Sequence, residues 1–91
     1  MVYFKVNGGR FNGGDVTTTP AKDGLNHAEN LCSQYSQCNT VQRGDNENVY
    51  WLKHIQSSNP GYVQSDFNSY VNMNKVGNHL VFRRLKTNHY Y

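Results

Sequence analysis

Alternating apolar and polar side chains mark several stretches of the chain as strands. Residues 2–6 alternate in this way, and Asn7, Gly8 and Gly9 then supply a turn. The other predicted strands are residues 39–43, 49–54 and 79–86. Because side chains on a strand point to opposite faces in turn, this pattern predicts a sheet that is buried on at least one face.

One helix is predicted between these strands. Asn26 is followed three residues later by Glu29, which is a variant of the capping box and predicts that the helix begins there. Apolar residues then recur at helical spacing over about three turns, and they form one stripe. The stripe consists of Ala28, Leu31, Cys32 and Tyr35. We expect the helix to end near Ser36.

The order of strands and helix predicts an α+β domain, with an antiparallel sheet packed on a single α-helix. Residues 11–19 are expected to be extended, 55–61 to form a polar loop, and 62–73 to mix strand and loop. The predicted core anchors of that last segment are Tyr62, Phe67, Tyr70 and Val71. The length of 91 residues fits one domain, with a core at about 3–86 and a tail at 87–91.

Composition favours the sheet and suggests a neutral surface. Valine occurs nine times and aromatic residues twelve times, against two alanines, which is typical of strands rather than of helix bundles. Charged residues make up only 16%, whereas asparagine occurs 13 times, so the polar surface should be rich in amides that suit neutral partners such as sugars. No apolar run approaches the roughly 20 residues that cross a bilayer, and no membrane span is expected.

Positive charge is concentrated near the C-terminus. Residues 1–66 carry five basic and six acidic side chains, whereas residues 67–91 carry four basic ones and no acid. The four are Lys75, Arg83, Arg84 and Lys86. Four charges are fewer than dedicated nucleic-acid binders present, so nucleic acid is not the expected partner. The two interpretations that remain are a solvated terminal strand, which is favoured, and a site for an anionic polymer.

Two cysteines, Cys32 and Cys38, lie six positions apart. Two thiols cannot make a four-ligand zinc site, and His27 does not complete one at the usual spacing. A disulfide is favoured over two reduced thiols, because a small domain has a thin stability margin and closing so short a loop adds about 2–3 kcal/mol. A disulfide predicts an extracellular location or a particle surface, with a cytoplasmic location left open.

Catalysis, a cofactor and a metal are not expected. The histidines have no metal-ligand spacing, and the acidic residues are assigned to turns and to the helix start. Gly13, Gly14 and Asp15 lack the lysine and hydroxyl residues of a phosphate loop and the acids of a calcium loop. The three are therefore interpreted as structural, with the glycines giving a bend and Asp15 bonding nearby N–H groups.

Trp51 is the best candidate for a ligand contact. If Tyr50 and Leu52 face the helix, alternation turns Trp51 and Lys53 to the opposite face of the sheet. An exposed tryptophan beside a lysine can stack on a sugar ring or on a partner's side chain. The alternative is that residues 55–73 cover Trp51 as a second small core.

Four segments follow one another in order: Phe11-Asn12-Gly13-Gly14-Asp15-Val16, Ala28-Glu29-Asn30-Leu31-Cys32, the Cys32–Cys38 spacing, and Trp51-Leu52-Lys53. Their order and gaps resemble the PAN/apple domain family over residues 3–85. The resemblance implies that the Cys32–Cys38 bridge is retained. It also implies that a second bridge is lost, because Ala28 and Tyr50 stand where the family has cysteines. Tyr50 packed over Ala28 would fill that space.

The resemblance further implies a non-catalytic role in recognition, since members of this family bind proteins, glycosaminoglycans, simple sugars or cellulose. We therefore expect a binding or adhesion module that recognises a glycan or a protein receptor outside the cell or on a particle. One alternative is an intracellular factor that binds nucleic acid or inhibits a protein through the C-terminal basic strand. A second alternative is a structural subunit of a larger assembly.

Overall fold

Seven short strands and two helices form in the part of the chain that the computed structural model describes, which is residues 3–12, 14–56 and 61–76. In chain order they are β1 (Tyr3–Val6), β2 (Gly9–Phe11), β3 (Gly14–Asp15), α1 (Leu25–Gln34), β4 (Thr40–Arg43), β5 (Tyr50–His54), β6 (Tyr62–Gln64), β7 (Ser69–Asn72) and α2 (Met73–Val76). The predicted strand at 79–86 and the predicted tail at 87–91 lie outside the described residues.

The main sheet has five strands in the order β1-β7-β4-β5-β3, and every neighbouring pair is antiparallel. A second sheet pairs β2 with β6, also antiparallel. Strands from opposite ends of the described part of the chain are thus neighbours, as β1 and β7 show. The predicted α+β class, with an antiparallel sheet and one main helix, is confirmed; α2 is only one turn long.

One face of the main sheet packs on α1. The buried cluster there is Ala28, Cys32, Cys38, Val41, Tyr50 and Leu52. Tyr50 and Leu52 therefore share one face of β5, as alternation predicts, and that face meets the helix. Ala28 is fully buried in the same cluster as Tyr50, so both residues contribute to this core without a disulfide between them.

The other face is covered by the β2–β6 sheet. A second buried cluster lies there, formed by Val6, Phe11, Ile55 and Val71. Two hydrogen bonds fix the small sheet on the large one: the Phe11 N–H donates to Gln42 Oε1 at 3.1 Å, and the Ser69 hydroxyl donates to the carbonyl of Gly9 at 2.7 Å. A Cβ atom at Gly9 would overlap the Tyr62 ring, so a glycine is needed where β2 approaches β6.

The helix differs from the prediction at both ends. Its N-cap residue is Gly24, at φ 91°, and no side chain caps it, so the predicted capping box of Asn26 and Glu29 is wrong. The earlier start brings Leu25 against the helix-side core, one turn before Ala28, and burial of that leucine outweighs the local capping signal. At the other end Tyr35 is extended and 44% exposed, so it does not continue the apolar stripe.

Partial burial on α1 raises the pKa of the Glu29 carboxyl above its ordinary value of about 4.5. The folded state therefore holds the Glu29 carboxyl proton more tightly than the unfolded state does. Proton binding then contributes to the free energy of unfolding in full below pH 4.5, and this contribution is lost as pH rises through the folded pKa. In the wild-type protein the free energy of unfolding should fall between pH 4.5 and the folded pKa of Glu29. We expect this fall to be smaller in Glu29→Gln, as measured by urea denaturation at several pH values. Glu47→Gln, in the exposed turn after β4, is the matched control; equal profiles for the two variants would contradict the prediction.

Candidate functional site

A cleft of about 250 Å³ opens where β4 ends, beside the segment that joins β6 to β7. It is lined by Arg10, Gln42, Arg43, Gly44, Asp45, Trp51, Ser65 and Phe67, and we call it the Trp51 cleft. Four structural segments contribute to it, namely β2, β5, the end of β4 with its turn, and the β6–β7 connection. The cleft therefore depends on the tertiary fold and not on one local motif.

Trp51 lies on the face of the sheet opposite α1, in register with Gln42 on β4. Its side chain is half-buried, and it is not part of the second core cluster that the β2–β6 sheet covers. The structure thus falls between the two expectations, a fully exposed platform and a covered core residue. One part of the indole contacts protein and another part lines the cleft.

Arg43 and Phe67 form one wall of the cleft. Arg43 Cζ lies 4.9 Å from the centroid of the Phe67 ring, which is within cation–π distance. Phe67 is 39% exposed, so it is not the core anchor that the sequence suggests. The Nε atom of Arg43 is buried and has no hydrogen-bond partner among the described residues. A buried donor without an acceptor costs about 1–3 kcal/mol. Because this atom is closed to solvent, a ligand in the cleft would have to bind through the outer N–H groups of the guanidinium.

Amide and carboxylate groups complete the lining. Gln42 Oε1 accepts the hydrogen bond from the Phe11 N–H, which fixes the orientation of the amide and directs its NH2 group elsewhere. Arg10 and Asp45 are exposed at the rim. The cleft thus combines an aromatic surface with planar donors and a single carboxylate.

Lys53 is held in an ion pair and does not line the cleft. Its Nζ atom lies 3.3 Å from Asp15 Oδ1, and its side chain is only 13% exposed. The two residues are cross-strand partners in β5 and β3. The Asp15 carboxylate therefore contacts an ammonium group across the sheet, and Gly14 beside it is part of a strand with no positive φ. Gly13 lies outside the described residues.

Lys75 on α2 is also engaged inside the fold. Its ammonium group donates to the carbonyls of Cys32, Tyr35 and Cys38, at 2.9, 2.8 and 2.7 Å. An ammonium has three N–H donors, so all three are used. The geometry makes Lys75 a cap for the C-terminal end of α1 and for the disulfide loop. Arg83, Arg84 and Lys86, the other predicted basic contacts, lie outside the described residues.

The predicted disulfide is confirmed: Cys32 and Cys38 are bonded, with Cα atoms 5.0 Å apart. In the described ranges, no three histidine, cysteine or acidic side chains come together as metal ligands. No helix in the described part of the chain is long and apolar enough to cross a membrane.

A second, smaller cleft of about 180 Å³ lies on the helix side of the sheet. Its lining residues are Thr17, Thr19, Pro20, Ala21, Leu31, Tyr35 and Leu52, and none of them is charged. It offers apolar surface and hydroxyl groups but no ionic group to orient a ligand. The Trp51 cleft is chemically the richer of the two and is the stronger candidate site.

Searches against models of protein families, curated proteins and solved structures find no match for this chain. The resemblance to the PAN/apple family therefore stays a prediction. No local motif in the sequence marks Arg10, Gln42 or Arg43 as neighbours of Trp51. Only Gln42 could have been found from the sequence. If the predicted strands 39–43 and 49–54 pair as antiparallel neighbours, one residue of 39–43 must lie opposite Trp51.

Proposed function

We propose that this chain is a non-catalytic binding module that recognises a glycan through the Trp51 cleft. The proposal depends mainly on one observation: a half-buried indole lines a cleft next to Arg43, whose side chain forms no ion pair among the described residues. An indole supplies a flat apolar surface for the C–H face of a sugar ring. Amide, guanidinium and carboxylate groups at its edge match the ring's hydroxyls.

The volume of the cleft limits the size of the ligand. About 250 Å³ is below the roughly 300–1,000 Å³ of pockets that hold drug-sized molecules. One sugar residue at the end of a chain fits this space better than a long oligosaccharide does. We therefore propose that the module contacts a terminal residue, and that the rest of the glycan extends into solvent.

The disulfide supports a location outside the cell or on the surface of a particle. Structural disulfides are typical of oxidising compartments and rare in the cytosol. The resemblance to a family of extracellular recognition domains agrees with this location and with a role in adhesion.

A glycan array probed at physiological salt tests the proposal. We expect saturable binding by the wild-type protein and a loss of at least about tenfold in affinity for Trp51→Ala, because truncating a central aromatic contact has effects of this size. Tyr35→Ala is the matched control, since Tyr35 is an exposed aromatic residue outside the Trp51 cleft.

Thermal melts of both variants establish that they remain folded. An array without hits would overturn the glycan proposal and would leave a protein receptor as the ligand to seek. Loss of binding in Tyr35→Ala with retention in Trp51→Ala would place the site elsewhere.

A further inference from the structure

The hydrogen-bonding groups of Arg43 are the starting point for a more specific ligand class. The face of the Phe67 ring attracts the positively charged guanidinium of Arg43, but an aromatic ring has no oxygen atom to accept its hydrogen bonds. The buried Nε–H has no acceptor within the described residues either. The Nε–H is closed to solvent, so the outer nitrogens of the guanidinium are the donors that a ligand can reach. They favour a ligand with oxygen atoms in a plane, because two parallel N–H groups can then donate to two oxygens.

Charge in the Trp51 cleft also favours a ligand with one negative charge. Two arginines, Arg10 and Arg43, and one acid, Asp45, line it. The ion pairs found within the described ranges join Asp23 to His27 and Asp15 to Lys53, and none neutralises either arginine. A single anionic group balances the formal excess of one positive charge. A phosphate monoester, with nearly two negative charges, would add repulsion from Asp45.

We infer that the terminal sugar carries a carboxylate, which Arg43 holds in a paired hydrogen bond while the sugar ring lies against Trp51. This inference rests on the proposed function and narrows it to uronic acids and related sugar acids. A sulfate ester has the same charge, so the arginines attract it equally. Its oxygens are arranged as a tetrahedron, however, and match the planar guanidinium less well. Arg10, at the rim, adds attraction at longer range.

Matched pairs of free glycosides test this inference by isothermal titration or by NMR titration of the Trp51 indole N–H. The pairs are methyl glucuronide with methyl glucoside, methyl galacturonide with methyl galactoside, and a methyl sialoside with the carboxamide of the same sugar. We expect the acidic member of at least one pair to bind about tenfold or more tightly than its neutral partner. We also expect it to bind more tightly than the 6-sulfate of the same sugar.

Arg43 variants identify the group responsible. Arg43→Gln should abolish the preference for the acid and leave weak binding of the neutral sugar, whereas Arg43→Lys should keep only part of the preference, because lysine lacks the planar fork. Arg10→Gln, at an exposed position, should weaken the preference without affecting folding. Lys22→Gln removes an exposed cation outside the Trp51 cleft and should leave the ratio unchanged.

The outcomes separate this inference from the proposed function. Equal affinity for the acidic and neutral members of every pair overturns the inference and leaves glycan binding intact. Tighter binding of the 6-sulfate than of the carboxylate would overturn the claim that Arg43 selects a planar group, and would indicate a general anion site. A preference for the acid that survives in Arg43→Gln also overturns the assignment. If no glycoside binds and the array has no hits, the proposed function itself fails.

Discussion

Removing the Cys32–Cys38 disulfide should lower the free energy of unfolding by about 2–3 kcal/mol. The bridge joins residues six positions apart, and both cysteines are fully buried in the helix-side core. A small domain has a thin stability margin, so this loss is a large fraction of the total. Urea denaturation of the wild-type protein, oxidised and then reduced, should show a lower midpoint after reduction.

The double variant Cys32→Ala/Cys38→Ala provides the control for this measurement. It removes the bridge without leaving thiols, so its midpoint should be low and should not respond to the reducing agent. If reduction leaves the wild-type midpoint unchanged while mass spectrometry shows that the bond is broken, the disulfide does not stabilise the fold.

Local patterns predicted β1, α1, β4 and β5, because those patterns act over a few residues. Alternation along residues 49–54 correctly placed Tyr50 and Leu52 on one face of the sheet and Trp51 on the other, and the structure shows that the first of these faces meets the helix. The disulfide was predicted for another reason, which is that a small domain has a thin stability margin and gains from a cross-link. Strand order could not be predicted this way, because β1 and β7 come from opposite ends of the described chain.

Arg43 illustrates why the site was harder to predict than the fold. The register pairs it with Tyr50, so alternation places it on the face away from Trp51. It is the last residue of β4, however, and its long side chain reaches the Phe67 ring and lines the same cleft. Alternation gives the direction of the Cα–Cβ bond, whereas the far end of a long side chain at the end of a strand can reach the other face.

Asparagine content gave a misleading picture of the surface. The side chain of buried Asn39 donates to the carbonyl of Ile55 and accepts from its N–H, at 2.8 and 2.9 Å, as a strand neighbour would. Asn68 accepts from the N–H of Gly8, and Asn46 and Asn72 each accept from an N–H two residues later. Part of the amide content therefore satisfies backbone groups inside the fold.

Replacing Lys75 with methionine should lower the free energy of unfolding by about 2–3 kcal/mol. The change removes three charge-assisted hydrogen bonds, at 2.7 to 2.9 Å, while keeping a side chain of similar length. Each such bond has a net value of about 1.5–3 kcal/mol where it is buried, and hydration of the part-exposed carbonyls reduces the sum. Urea denaturation measures the loss.

Two further variants separate the geometry of this cap from its charge. Lys75→Arg keeps the positive charge, but a planar guanidinium cannot point three N–H groups at three converging carbonyls, so it should recover only part of the stability. Lys5→Met removes an exposed lysine from β1 and should change the free energy of unfolding by less than about 0.5 kcal/mol. Equal stability of Lys75→Met and Lys5→Met would contradict the role of the cap.

The disulfide and Lys75 hold the same segment, so their effects should not add. Two of the three carbonyls that Lys75 contacts belong to Cys32 and Cys38 themselves. Once the bridge is gone, the segment can move, and the ammonium loses part of its acceptor geometry. Combining Lys75→Met with the double cysteine variant should therefore cost about 0.5–1.5 kcal/mol less than the sum of the separate losses. Strict additivity would mean that each stabilises this segment independently of the other.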